Sequence, residues 1–169
     1  MTKAFRGGAI AAIGLMLTLT VVACGSSGSS GKEAALQKQA DIRAIDQIEV
    51  HWHKASSSKN VDLMMSLWAP DATFTIGTTT LSGKAQIRDF FKNKAAPFQP
   101  ANHWVSDTPA YKIRVTVNGD KGTLYFECHY IDVKTQKVAA VVGADQDVRR
   151  VNGKWLITRA VAATPELTP

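Results

Sequence analysis

The sequence predicts an α+β domain in which helices come first and a meander of antiparallel strands follows. Three observations predict it. Residues 111–117 alternate, with Tyr111, Ile113, Val115 and Val117 on one face and Lys112, Arg114 and Thr116 on the other, the period of a half-buried strand. Asn118-Gly119 and Asn152-Gly153 supply the positive φ that tight hairpins need. Upstream, residues 32–56 space their apolar side chains at three- and four-residue steps, the period of a helix.

The elements follow in order. Lys32 to Ser56 forms a long helix whose stripe is Leu36, Ile42, Ile45, Ile48 or Glu49, and Trp52. Ser56-Ser57-Ser58-Lys59-Asn60 breaks it, and Asn60 caps a short second helix, Val61 to Trp68. Met64, Leu67 and Trp68 form its buried side, and Pro70 ends it. Asp71 to Ile76 alternates as a short strand, and Thr78 to Thr80 is a loop or strand end. Ser82 or Gly83 starts a third helix with Ile87, Phe90 and Phe91 inward, stopping before Pro97. An irregular link through Pro97 and Pro100 leads to Asn102-His103-Trp104. The meander then runs Tyr111–Val117, Thr123–Val133, Val138–Val151 and Trp155–Val161.

The 169 residues have a one-domain length, and 45% apolar content is that of a globular chain. The net charge is +6; without Lys3 and Arg6, 18 basic residues stand against 14 acidic ones, a net +4. The basic residues are scattered with no run, which argues against nucleic acid as a partner and for a mildly basic surface beside anionic lipid. There is no internal repeat, no Gly-rich phosphate loop and no metal-ligand spacing; no metal or cofactor is expected. Cys128, mid-strand between Phe126 and Tyr130 on one face, reads as a small buried hydrophobe in preference to a nucleophile.

Residues 1–23 read as an address. Lys3 and Arg6 form a positive start, and Gly7 to Ala23 is an uncharged apolar run too short for a membrane span. Val21-Val22-Ala23-Cys24 resembles the lipobox of bacterial lipoproteins. The resemblance implies diacylation of Cys24, cleavage before it and acylation of the new amine. Several acyl chains meet the condition for stable anchoring. Residues 24–32, Gly- and Ser-rich after the cysteine, then read as a flexible tether, leaving residues 33–169 as the folded domain. The expected location is the extracytoplasmic face of a cell membrane, lipid-anchored through Cys24.

The order of helices and strands, together with local text, resembles the SnoaL-like domains of the nuclear transport factor 2-like superfamily. Residues 61–74, VDLMMSLWAPDATF, resemble its D-x-x-x-x-x-F-A-x-D-A-x-F segment. Residues 81–91, LSGKAQIRDFF, resemble its x-x-G-x-x-x-I-x-x-F segment, and Gly153-Lys154-Trp155-Leu156-Ile157 resembles its closing G-x-W-x-I. The match spans residues 35–163. It implies a strongly curved antiparallel sheet wrapped as a cone around the long helix, with two shorter helices. It also implies an apolar cavity that binds or transforms small hydrophobic molecules, and a homodimer through the outer sheet face. Function on this fold varies widely.

Enzymes of this superfamily need an acid or imidazole brought near neutral pKa by an apolar wall, beside a hydrogen-bond donor. His103 stands where the resemblance puts a base, and Asp71 and Asp145 are the assisting carboxylates; each has a plain structural reading beside it. The Tyr-Asp pair that such dehydratases place at the end of the first helix is missing from His53-Lys54-Ala55-Ser56. Tyr125, Glu127 and His129 share one strand face and are read as outward; Asp145 and Asp147 share a face that either points into the cavity or is a solvated strand face. His51 and His53, two apart on a helix, do not face each other and form no metal pair. Trp52, Trp68, Phe74, Phe91, Trp104 and Phe126 are the expected walls of the ligand site. The expected function is an apolar-ligand or envelope-partner binding domain; the alternative is a cofactor-independent isomerase or dehydratase with His103 as general base. A pocketless interaction domain is the third reading.

Overall fold

A computed structural model describes residues 27–106 and 110–166. Helix α1 spans Ser27–Ser57, α2 Val61–Met65 and α3 Gly83–Asn93. The strands are β1 Trp68–Ile76, β2 Thr79–Ser82, β3 Trp104–Ser106, β4 Tyr111–Asn118, β5 Lys121–Asp132, β6 Lys137–Val151 and β7 Lys154–Ala163. One curved, unclosed sheet runs β2-β1-β7-β6-β5-β3, with β4 also paired to β5. The expected α+β cone with a long helix and two shorter ones is present. The sheet is mixed where an antiparallel one was expected, because β1 runs parallel to β7.

Helix α1 lies across the concave face, packed on β3, β4, β5 and β7. Its buried stripe is Asp41, Ile45, Ile48, Glu49, Trp52, His53 and Ser56, at the helical spacing but with polar members throughout. Burying each large apolar member contributes about 1.5–3 kcal/mol. Leu36, expected in that stripe, is 70% exposed, because residues 30–40 of α1 extend past the sheet. The helix also begins at Ser27, inside the stretch read as tether. Once the buried turns exist, each further residue adds one helical bond, so poor helix formers can be carried along.

Asp41 ties α1 to the far strands. Its Oδ1 is 2.6 Å from Arg150 and also accepts hydrogen bonds from Trp155 Nε1 at 3.4 Å and Gln37 Nε2 at 3.0 Å. Burial by itself raises the Asp41 carboxyl; the bonds from Arg150, Gln37 and Trp155 outweigh it and hold the group below its ordinary 3.8. Such a carboxylate contributes stability that is full above its unfolded pKa and is lost as pH falls through the lower folded value. Asp41→Asn is therefore expected to cost about 1–3 kcal/mol at neutral pH. Urea midpoints should show wild type and variant converging as pH falls below the lowered folded value, where the carboxyl is protonated in both states.

Local signals act largely as read. Asn60 Oδ1 accepts the Leu63 N–H at 2.8 Å and caps α2. Asn152 and Gly153 both have positive φ in the two-residue β6–β7 turn. The second helix stops at Met65, short of the expected Trp68, and Pro70 lies within β1. Pro70 is tolerated because the β1–β7 register breaks between Trp68 and Thr73 and β2 pairs only from Thr73 onward. Lys112, at φ 52°, marks a bulge between Tyr111 and Arg114. The extra residue reverses the alternation, so Tyr111 joins Arg114 on the outer face and stacks on His129 at 4.1 Å. Ile113, Val115 and Val117 keep their expected inward side.

Candidate ligand cavity

The concave face of the sheet holds a cavity of about 260 Å³. Its floor is the inward register of β5 and β6: Phe126, Cys128 and Tyr130, opposite Ala144, Val142 and Ala140. Trp52 of α1, Phe74 and Ile76 of β1, Phe90 and Phe91 of α3, and Phe98 in the short 3-10 turn Ala96–Phe98 close the sides. Trp104 packs against Tyr130 with ring centroids 6.0 Å apart. The aromatics form one network. Trp52 meets Phe91 edge-on at 5.5 Å and Phe126 edge-on at 5.8 Å, and Phe74 stacks parallel to Phe91 at 6.0 Å.

Five of the six expected wall residues, Trp52, Phe74, Phe91, Trp104 and Phe126, line this space. Trp68 does not; it is fully buried behind the wall, with its ring 5.9 Å from Trp52 and 5.4 Å from Phe74. His103, Asp71 and Asp145 are brought neither to the cavity nor together. His103 is exposed just before β3, and its carbonyl accepts the Val133 N–H. It is not among the residues that line the cavity. Asp71 is exposed and accepts from Arg149 at 3.1 Å. Asp145 pairs with Tyr125 and Val161 on the convex side, and Asp147, on the same face, meets Arg159 at 3.3 Å. Cys24 lies outside the described residues.

The polar groups at the cavity wall are ones that sequence reasoning set aside. Cys128 Sγ is 3.0 Å from His53 Nε2. Behind the ring, His53 Nδ1 is 3.8 Å from Glu49 Oε2, which also accepts the Ala110 N–H at 3.3 Å. All three side chains are buried, and only Cys128 reaches the cavity. Burial raises the Glu49 carboxyl, with a smaller opposing contribution from the Ala110 N–H. Burial likewise pushes the Cys128 thiol far above its ordinary value, against weaker lowering by Ser106 and Tyr130. The Tyr130 phenol, also raised by burial, donates to Ser56 Oγ at 3.4 Å. The Trp52 indole N–H is buried at the wall without a hydrogen-bond partner among the described residues. One local signal was available: Glu49 and His53 are i,i+4 neighbours flanking Trp52 on the same helix side.

On the convex side, Glu127 is fully buried although it points away from the cavity. It accepts from Tyr125 Oη at 2.7 Å and from the backbone N–H of Glu166, so the chain beyond β7 folds over it. Among the described residues no group of three or more His, Cys, Asp or Glu side chains has a geometry that could hold a metal ion, and no helix is long and apolar enough to cross a membrane.

A curved sheet wrapped around one long helix, enclosing an aromatic cavity, is the fold of nuclear transport factor 2-like proteins. The chain belongs to the SnoaL-like domain family, whose profile matches residues 37–161. It is similar to an NTF2-like protein with a cystatin-like fold from Novosphingobium aromaticivorans, at 19% identity and a TM-score of 0.71, covering 85% of this chain and 94% of that one. It is also similar to a provisionally assigned dehydratase of the NTF2-like family from Streptomyces avermitilis, at 18% identity and a TM-score of 0.60, covering 77% and 99%. A provisionally assigned ketosteroid isomerase from Shewanella frigidimarina follows at 12% identity and a TM-score of 0.55, covering 71% and 94%. At these identities the likeness is one of fold. No curated protein matches the chain significantly.

Proposed function

We propose that this domain binds a small, flat, apolar ligand in its cone cavity while held to the outer face of a cell membrane by a lipidated Cys24. The observation that carries the ligand reading is the cavity wall: eight aromatic side chains and few polar groups around about 260 Å³, near the lower end of known ligand pockets. The unpartnered Trp52 N–H adds a point of orientation for one acceptor atom. The lipobox-like Val21-Val22-Ala23-Cys24 supports the anchoring. A homodimer through the convex face belongs to the same reading, supported by the half-exposed Tyr111 and by Val105 at the sheet edge.

The second reading, a cofactor-independent isomerase or dehydratase, draws support from the provisional assignments of two fold relatives. What weighs against His103 as its general base is that the residue is exposed and not among those lining the cavity. Native mass spectrometry of the chain purified from its own envelope tests both halves of the proposal. Expected are a retained apolar mass and acyl chains on a polypeptide starting at Cys24. An empty cavity in every preparation counts against the ligand reading, and an unacylated Cys24 counts against the anchor.

A further inference from the structure

We propose that Cys128, with His53 as its base, is a nucleophile that captures an apolar α,β-unsaturated carbonyl compound in the cavity as a thioether. The inference rests on the cavity reading above and adds chemistry to it. Four placements carry it. The sulfur is at the cavity wall and its partner ring is behind it, so a ligand meets the thiol before it meets the base. The separation of 3.0 Å lets proton transfer accompany attack. Glu49 stands on the far side of the ring at 3.8 Å from Nδ1, the third position of a nucleophile, base and orienting acid. Finally, the Trp52 N–H is buried at the same cavity and makes no well-aligned hydrogen bond among the described residues, while the Ser106 hydroxyl interacts with the sulfur itself. A buried donor left bare is unfavourable, and a ligand oxygen satisfies it.

The ligand class follows from these groups together. The aromatic wall selects a flat, unsaturated, uncharged body. The bare indole N–H selects a carbonyl oxygen, and the thiol selects an electrophilic carbon conjugated to it. In the step itself, His53 Nε2 takes the thiol proton as sulfur bonds to the β-carbon. The π electrons of the carbon–carbon double bond move towards the carbonyl, forming an enolate whose oxygen takes the indole hydrogen bond. The α-carbon then takes a proton from water at the cavity mouth, and His53 releases its own to solvent, so water is neither gained nor lost. One S–H bond and one π bond are exchanged for one C–S and one C–H bond; nothing is oxidised or reduced and no further reactant is consumed. Burial keeps the empty-site thiol protonated, so deprotonation happens during attack and polar alkylating agents gain little from the site.

The experiment uses the full chain and cyclohex-2-enone, with peptide-level mass spectrometry to locate the adduct. Expected is one added cyclohexenone mass on Cys128, formed about a hundred-fold faster than the N-acetylcysteine adduct at neutral pH. Cys128→Ala should leave that peptide unlabelled, and His53→Gln should slow labelling about a hundred-fold. Glu49→Gln should also slow it. The wild-type rate against N-acetylcysteine decides the matter even where a buried-site variant melts early. Cyclohexanone, which has the same ring without the electrophilic carbon, separates the two layers by its quenching of tryptophan emission. If cyclohexanone binds and Cys128 labels no faster than N-acetylcysteine, the nucleophile is overturned and the cavity reading stands. If neither compound enters, both fall.

Discussion

A Trp68→Ala chain is expected to lose about 3–5 kcal/mol of folding stability, a large share of what a domain of this size holds. Trp68 is fully buried at the start of β1, opposite Ile157 in the parallel β1–β7 pair, where the Ile157 N–H bonds to the Leu67 carbonyl. Its ring backs Trp52, Phe74 and Phe91 at centroid distances of 5.9, 5.4 and 6.2 Å. Truncation opens a void that these rigid rings cannot collapse into, so both the transfer and the cavity penalties apply. A melting temperature lowered by roughly 10 °C in a thermal scan is the expected reading. Trp68→Phe separates the causes. It keeps an aromatic ring and removes an indole N–H that is buried without a hydrogen-bond partner among the described residues, so its cost should stay below about 2 kcal/mol. Equal losses in the two variants would mean that the donor matters in a way the packing account omits.

Ala140→Trp is expected to weaken binding of an apolar probe such as 2-naphthol about a hundred-fold, or about 2.7 kcal/mol. Ala140 is half-buried, pairs with Tyr130 and lines the cavity from β6. An indole built there enters the existing void instead of displacing packed atoms, so the overpacking cost should stay within about 1–3 kcal/mol. Isothermal titration of wild type should show the negative heat-capacity change of apolar burial, and the variant should show little heat at all. Unchanged affinity in a folded variant would place the probe elsewhere on the molecule.

Features set by neighbours in the chain were legible. The Asn60 cap, the Asn152-Gly153 turn, the inward face of β5 and the inward Ile87 and Phe91 of α3 all depend on a few adjacent residues. Misread features each depend on something distant or on one irregular residue. Leu36 has the right helical phase, yet the sheet ends before it. Tyr111 has the right alternation until Lys112 adopts a positive φ and reverses it. Pro70 sits in a strand because the stretch around it lacks regular pairing.

The same division holds at the site. The cavity wall could be read because large apolar residues in an inward register have few other places to go, although Trp68 shows that sequence does not separate wall from backing. The polar set could not. His53 and Cys128 are 75 residues apart, one on a helix and one on a strand, and each looks ordinary alone. His103 looked functional by its place in the order of elements, and the sheet edge carries it outside.

By itself, then, the sequence determined the α+β order, the family and the aromatic character of the cavity, because periodicity and turn chemistry act over a few residues. Tertiary structure alone decided the parallel β1–β7 pairing, the burial of Glu127 under the chain near Glu166, and the meeting of Glu49, His53 and Cys128. Those depend on how a curved sheet closes over one helix, which brings together side chains whose own neighbourhoods carry no trace of each other.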